Sequence, residues 1–211
     1  MIIKSLELGP LDTNCYIVME EATGDCAVID IGGDASTLLD YLERCGAQLR
    51  CVFLTHGHFD HTGGVADVLA ETGAQLYMSQ RDNGITIGGN YYKYTAPEGT
   101  QFFSEGEVIS LGSISFTVME TPGHTPGSVT LLCRDAADPE GMPALFTGDT
   151  LFRDSCGRTD FPGSDPEAMM KSLRRLSGLP GDYEVYPGHM EATTLERERR
   201  FNYFINAAIR G

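Results

Sequence analysis

Positive charge is scarce in this 211-residue chain. Fifteen lysines and arginines face 30 aspartates and glutamates, for a net charge of −15 and a pI near 4.6. A nucleic-acid binder needs a basic footprint to displace counterions from phosphates, and the sequence supplies none. Its one basic run, LERERRFNYF at 195–204, alternates in sign and reads as a solvated helix face. An anionic polymer is therefore a poor fit as a substrate, whereas a small anion at a locally positive metal site still fits. Also missing is any C-x-x-C pair among the six cysteines, Cys15, Cys26, Cys45, Cys51, Cys133 and Cys156. Cys26, Cys51 and Cys133 lie inside apolar runs, where a free thiol behaves as a small hydrophobe. The opening MIIKSLELGPLDTNCYIV has no charged, apolar and cleavable leader. No window of about 18 apolar residues could span a membrane. These absences lead us to expect a reduced, soluble, cytoplasmic protein that partners neither nucleic acid nor membrane, with the oligomeric state left open.

What is present is enough for a core: 41% of residues are hydrophobic, and a chain of this length is expected to bury about 70% of its surface. Glycine is abundant, 25 residues against a usual ~7%, so turns are many and elements short. Apolar and alternating runs predict strands at 2–8, 14–20, 26–31, 50–55, 114–120, 128–133, 143–147 and 183–186. Helical spacing appears at 35–45, 62–72, 165–177 and 193–208, the third opening on a capping-box spacing from Ser164 to Glu167. The stretch 82–100, DNGITIGGNYYKYTAPEGT, has no period and reads as a long surface excursion of the kind that often forms a lid. Strands and helices interleave without repeat or linker, which points to one layered α/β domain over 1–211.

Histidine is rarer still, five residues in all, and three of them crowd into THGHFDHTG at 55–63. The other two, His124 and His189, share a local grammar with His56 and Asp149. An apolar strand ends, a small-residue turn follows, and a donor comes next: CVFLT to His56, FTVMETPG to His124, ALFTG to Asp149, YEVYPG to His189. Side chains delivered just past strand carboxyl ends can converge on one rim. That would assemble all five histidines with Asp60 and Asp149. Imidazole and carboxylate suit zinc, manganese or iron. Seven donors exceed one tetrahedral ion and divide into two sets of three with one bridging carboxylate, as in two-metal sites.

At this point the sequence resembles the metallo-β-lactamase-fold hydrolases, and within them the short glyoxalase II-like (hydroxyacylglutathione hydrolase-like) branch. The resemblance rests on GPLDTNCYIV, AVIDIGG, THGHFDHTGG, TPGHTPGS, FTGDTLF, GRTDFPG and YPGH, which together span residues 9–189. It implies a four-layer αββα sandwich with metals in the groove between two mixed sheets. By matching positions it implies His56, His58 and His124 on one ion, Asp60, His61 and His189 on the second, and Asp149 between them. Asp30 matches a family aspartate that supports the ligand loop from behind. The implied ions are two divalent cations, zinc first, with iron or manganese as alternatives. The implied chemistry is hydrolysis of a small thioester such as S-lactoylglutathione by hydroxide formed from water between the cations, with Asp60 and Asp149 as catalytic carboxylates.

The chain also departs from the family pattern. Full-length glyoxalase II carries a C-terminal helical domain that holds glutathione, and here only 22 residues follow His189 (211 − 189 = 22). The thiol portion of a substrate is therefore unspecified. The glycine expected after the last histidine is Met190, which would either narrow the site or pack locally. Substrate contacts are expected from Arg153 in the loop after Asp149, and from Tyr91 and Lys93 in the tyrosine-rich excursion. Arg158 is positioned to brace its own loop through Asp160, and Cys156 has no place in an already complete donor set. CGRTDF also resembles the persulfide dioxygenases of the same fold, which use a single iron, and a lactone hydrolase would use the same donors. With no export signal, the β-lactamase reading is the weakest.

Overall fold

The computed structural model describes residues 1–87 and 92–210. The first half of the chain contributes β1 (Ile2–Leu8), β2 (Thr13–Met19), β3 (Asp25–Ile29), α1 (Ala35–Cys45), β4 (Gln48–Phe53), α2 (Phe59–Thr62), α3 (Val65–Thr72), β5 (Gln75–Met78), the short pair β6 (Thr86–Ile87) and β7 (Tyr92–Lys93), and β8 (Gln101–Phe102). The second half contributes β9 (Val108–Leu111), β10 (Ile114–Glu120), β11 (Val129–Asp135), β12 (Ala144–Gly148), the hairpin β13 (Leu151–Phe152) and β14 (Ser155–Cys156), α4 (Pro166–Ser177), β15 (Glu184–Pro187), β16 (Thr193–Thr194), α5 (Leu195–Phe201) and α6 (Tyr203–Arg210). Each half builds one sheet, in the orders β1-β2-β3-β4-β5-β8 and β16-β15-β12-β11-β10-β9. Both are mixed. The first turns parallel from β3 onward, and the second is antiparallel except between β12 and β15.

Alternation along the strands explains the layering. On β2, Tyr16 and Val18 face the other sheet and pack with Phe53, Phe116, Leu131 and Phe146, whereas Cys15 and Ile17 face outward onto Leu38 and Leu42 of α1 and Val65 and Val68 of α3. The second sheet repeats this: Phe146 points inward, and Leu145 and Val185 point out to Met169 and Leu173 of α4 and Leu195 and Ile205 of the last two helices. Strands covered on both faces need near-continuous apolar runs, which is why the central ones are legible in the sequence. The result is the αββα sandwich. Cys15, Cys26, Cys51 and Cys133 are buried in it as free thiols, and burial pushes Cys26, Cys51 and Cys133 up to about 12. Among the described residues no helix is long and apolar enough to cross a membrane.

The structure differs from the sequence expectation in several places. The helix expected at 62–72 is two helices, α2 and α3, because Gly63 and Gly64 press against the backbone of Gly32 and Gly33. The helix expected at 193–208 breaks at Asn202, whose side chain accepts from the N–H groups of Phe204 and Ile205 and so starts a new helix. The cap of α4 is Asp165, accepting from Glu167 and Ala168, and Ser164 instead donates to the His124 carbonyl at 2.8 Å. The excursion at 82–100 begins with the buried Asp82 and carries a short antiparallel pair, and the run at 195–204 hides a fully buried Glu198.

Candidate metal centre

Four strand ends deliver the donors to one rim. His56 follows β4 by three residues, His124 follows β10 by four, Asp149 directly follows β12, and His189 follows β15 by two. The chain after His56 then coils into the single turn α2, with His58 at its N-cap position and Asp60 and His61 within it. All seven donors converge. His124 Nε2 lies 2.9 Å from His58 Nδ1, His61 Nε2 lies 3.4 Å from Asp149 Oδ1, and His189 Nε2 lies 3.2 Å from Asp60 Oδ2. Asp149 Oδ2 lies 3.4 Å from His124 and 3.8 Å from His189, so this carboxylate stands between the two groups. Donor atoms gather within 4.8 Å in three overlapping trios: His56, His58 and His124; His56, His61 and Asp149; Asp60, His61 and His189.

Hydrogen bonds behind the cluster fix which ring nitrogens point inward bare. His61 Nδ1 donates to Asp30 Oδ2 at 2.9 Å, and His124 Nδ1 donates to the Arg158 carbonyl at 2.8 Å. The Thr55 hydroxyl donates to Asp30 Oδ2 at 2.7 Å, so it can only accept from His56 Nδ1 at 3.1 Å. In each neutral ring the remaining Nε2 therefore carries a lone pair. Of these, His56 Nε2 and His61 Nε2, together with Asp149 Oδ1, are buried without a hydrogen-bond partner among the described residues. Buried polar atoms are seldom orphaned. Bare nitrogens facing carboxylates at these separations repel unless a cation lies between, and the donor set fits divalent ions of the zinc and iron kind.

The electrostatics agree. Burial and the neighbouring rings hold His58 down at about 3 and His56 well below its usual value. Burial opposes charge on His61 too, yet Asp30 and Asp149 outweigh it and raise the pKa, so the carboxylates around this ring favour positive charge at its position. Burial would also raise Asp149, but His61, His124 and His189 hold its carboxyl well below the ordinary range. The His189 side chain is 22% exposed against 0% for His61, so the cluster opens to solvent on the His189 side. The Phe161 ring stands 5.9 Å from both His58 and His124, and that of Phe152 stands 6.3 Å from His189, giving the opening apolar walls.

The expected substrate contacts are less gathered. Arg153 pairs with Glu191, and Arg158 grips Asp160 at 2.9 and 2.8 Å while lying over Phe161. Lys93 is exposed, Tyr91 lies outside the described residues, and among those described Cys156 joins no donor group. Asp82 and Asn14 were not singled out by sequence reasoning, yet both hold donor loops. Asn14 Nδ2 donates to the carbonyls of Pro187 and Met190, on either side of His189. Its place in TNCYIV was the available signal.

The sequence profile of the Metallo-beta-lactamase superfamily matches residues 8–189. A relative named hydroxyacylglutathione hydrolase GloC, from Haemophilus influenzae, is 30% identical over 98% of this chain and 99% of its own. Among solved structures, the BLEG-1 B3 metallo-beta-lactamase superposes with a TM-score of 0.85 at 29% identity, covering 97% of this chain and 99% of that one. TTHA1623 in a di-iron-bound form gives 0.81 at 36% identity, covering 95% and 99%.

Proposed function

The chain belongs to the metallo-beta-lactamase superfamily, and from that premise we propose that it is a dinuclear metallohydrolase that cleaves a small thioester. The proposed substrate is an S-(2-hydroxyacyl)-thiol such as S-lactoylglutathione, or the same ester of another small thiol. The observation that carries the proposal is the convergence of seven histidine and aspartate donors around buried, unpartnered His56 Nε2, His61 Nε2 and Asp149 Oδ1. The likeness to a hydroxyacylglutathione hydrolase over nearly the whole of both chains supports the thioester. We assign His56, His58 and His124 to one ion, Asp60, His61 and His189 to the other, and Asp149 to both. Zinc is the proposed metal, with iron as the alternative, since the similar TTHA1623 takes a di-iron form. Six free thiols suit a reducing cytoplasm.

When bound, two divalent ions would supply an acidified water and an electrophile for the thioester carbonyl. The chain's own part is positioning and proton handling. Asp60, whose pKa is lowered by its contact with His189 although burial opposes it, would orient the attacking water and accept its proton as a role secondary to holding its ion. The departing thiolate, with an ordinary pKa of about 8.5, needs no strong acid to leave. Phe152 and Phe161 give the acyl group apolar surfaces and thin the water around it. Arg153 or Lys93 would meet a carboxylate of the thiol portion, Arg153 by exchanging Glu191 for it.

The test is release of free thiol from S-lactoylglutathione by purified protein, with saturable kinetics, abolished in His56→Ala and Asp149→Ala. A second reading, a persulfide-oxidising iron enzyme, draws on CGRTDF, whose Arg158 carbonyl holds His124. Elemental analysis beside a panel of thioesters, lactones and persulfides separates the two. About two ions per chain with thiol release supports the hydrolase. One iron with oxygen consumption supports the oxidoreductase.

A further inference from the structure

Asp82 ends the one-turn helix Gln80–Asp82 that follows β5, and it is fully buried. Its Oδ2 accepts from the Gly57 N–H at 2.9 Å and from the Thr125 hydroxyl at 2.7 Å, and its Oδ1 accepts from the Gly127 N–H at 2.7 Å. Gly57 lies between His56 and His58, and Thr125 directly follows His124. One carboxylate thus joins the donor loop of the first sheet to the donor loop of the second. The fit leaves no slack: a Cβ on Gly57 would lie 2.9 Å from the Asp82 carbonyl oxygen, and one on Gly127 would lie 2.5 Å from Asp82 Oδ1. Ser128 braces the far side, its hydroxyl 2.7 Å from that of Thr125 and 3.1 Å from the Thr125 N–H. Burying a carboxylate against neutral donors alone is costly, and packing the excursion down would not require it. An anion with several lone pairs can accept from both loops at once and so hold them in register.

We infer that Asp82 is a positioning residue for the ion assigned to His56, His58 and His124, setting the spacing between the two loops that carry those rings. The inference rests on the metal-site reading above. The other trio is tied differently, its His189 loop being held by Asn14. The two clamps should therefore act on different ions.

The experiment is stepwise loading of ion-free full-length chain with Co(II) against a competing chelator, followed by the visible absorption of each step, with no substrate present. The step lost in His124→Ala identifies the ion in question. Asp82→Asn offers an N–H where a donor already points, and is expected to weaken that step 10- to 100-fold, as loss of groups orienting ligands does, leaving the other step within about twofold. Thr125→Val removes one bond and keeps the charge, and should weaken the same step less. Asn14→Ala should weaken the other step. Asp82→Asn and Thr125→Val that fold by circular dichroism and either leave the His124 step unchanged or weaken both steps equally would overturn the inference. Should Asp82→Asn not fold, Thr125→Val decides by the same criterion. A wild type with one step, lost in His124→Ala, would remove the two-ion reading and leave this test intact. A wild type with no step lost in His124→Ala overturns both.

Discussion

The carboxylate of Asp30 and the imidazole of His61 meet at 2.9 Å with both side chains almost wholly out of water. Asp30 reaches this position with φ at 56°, in the left-handed region that aspartate tolerates better than most residues. From there Oδ1 accepts from the Thr55 N–H, and Oδ2 accepts from the Thr55 hydroxyl as well as from His61. One residue thereby sets the ring orientation of His61 directly and of His56 through Thr55. Asp30→Asn should therefore weaken ion binding by about 10- to 100-fold and cost about 1–3 kcal/mol of stability from the mismatched buried donors. Chelator competition and urea unfolding read the two effects. A variant that binds and unfolds like wild type would remove Asp30 from any supporting role.

The ion-free chain should be most stable near pH 6.5. His56 and His58 are held below their ordinary 6.5 by burial, so on acidification the unfolded chain takes up protons before the folded one, and stability falls from about pH 6.5 down toward the value of about 3 at His58. The lowered carboxyl of Asp149 adds to the acid loss, since its burial is outweighed by the facing histidines. For His61 and His189 burial works against charge, but Asp30 and Asp149 raise the first and Asp60 the second. Their contribution is complete below pH 6.5 and is lost as pH rises through the raised values. Saturating metal should abolish the alkaline loss, because the ion takes over the proton's place. Urea midpoints across pH 5–9, with and without metal, test this. An ion-free chain equally stable at pH 7 and pH 9 would contradict it.

Much of this architecture is legible because its signals are local. β4, β10, β12 and β15 each end in a turn and a donor, and a strand buried on both faces writes its apolar run into the sequence. Asp82 is hidden for the opposite reason. Its partners lie 25 and 43–45 residues away, and it opens a stretch with no period. The two-residue strand β8 and the four-residue strands β5 and β9 are too short for alternation to register. Asn202 breaks a helix whose spacing runs on unaltered, because its side chain serves the hairpin of β13 and β14, donating to the carbonyls of Phe152 and Ser155.

Glu198 is the buried partner of that same hairpin. Its carboxylate accepts from the Asp154 N–H at 2.7 Å, the Thr193 hydroxyl at 2.7 Å, Asn202 Nδ2 at 3.0 Å and Arg197 Nη1 at 2.6 Å. Removing it takes the acceptor from the Asp154 N–H and the Thr193 hydroxyl, whereas Arg197 keeps the Asp154 carboxylate and Asn202 keeps the carbonyls of Phe152 and Ser155. Glu198→Ala is expected to cost about 3 kcal/mol and to loosen the segment that carries Phe152 and Arg153. With a thioester, KM should rise several-fold while ion content stays at the wild-type value, since no donor to the ions lies on that hairpin. Denaturation, metal analysis and steady-state kinetics on one preparation check all three expectations, and loss of an ion would show that the hairpin reaches further than its contacts indicate.

Met190 presents the reverse case, a side chain where the backbone favours none. Its φ is 69°, and Asn14 fixes that conformation by donating to its carbonyl at 2.8 Å. An L-residue with a Cβ is disfavoured there by about 1–2 kcal/mol, and with 57% of the residue exposed little burial offsets the penalty. Glycine relieves the strain but adds about 0.5–1 kcal/mol of unfolded-chain entropy. Met190→Gly should therefore gain up to about 1.5 kcal/mol net, with ion binding unaltered because the Asn14 bond is to the backbone. The gain would be read as a higher urea midpoint at unchanged slope. A lower midpoint would mean that the methionine packs against the rim of the opening more strongly than its backbone resists.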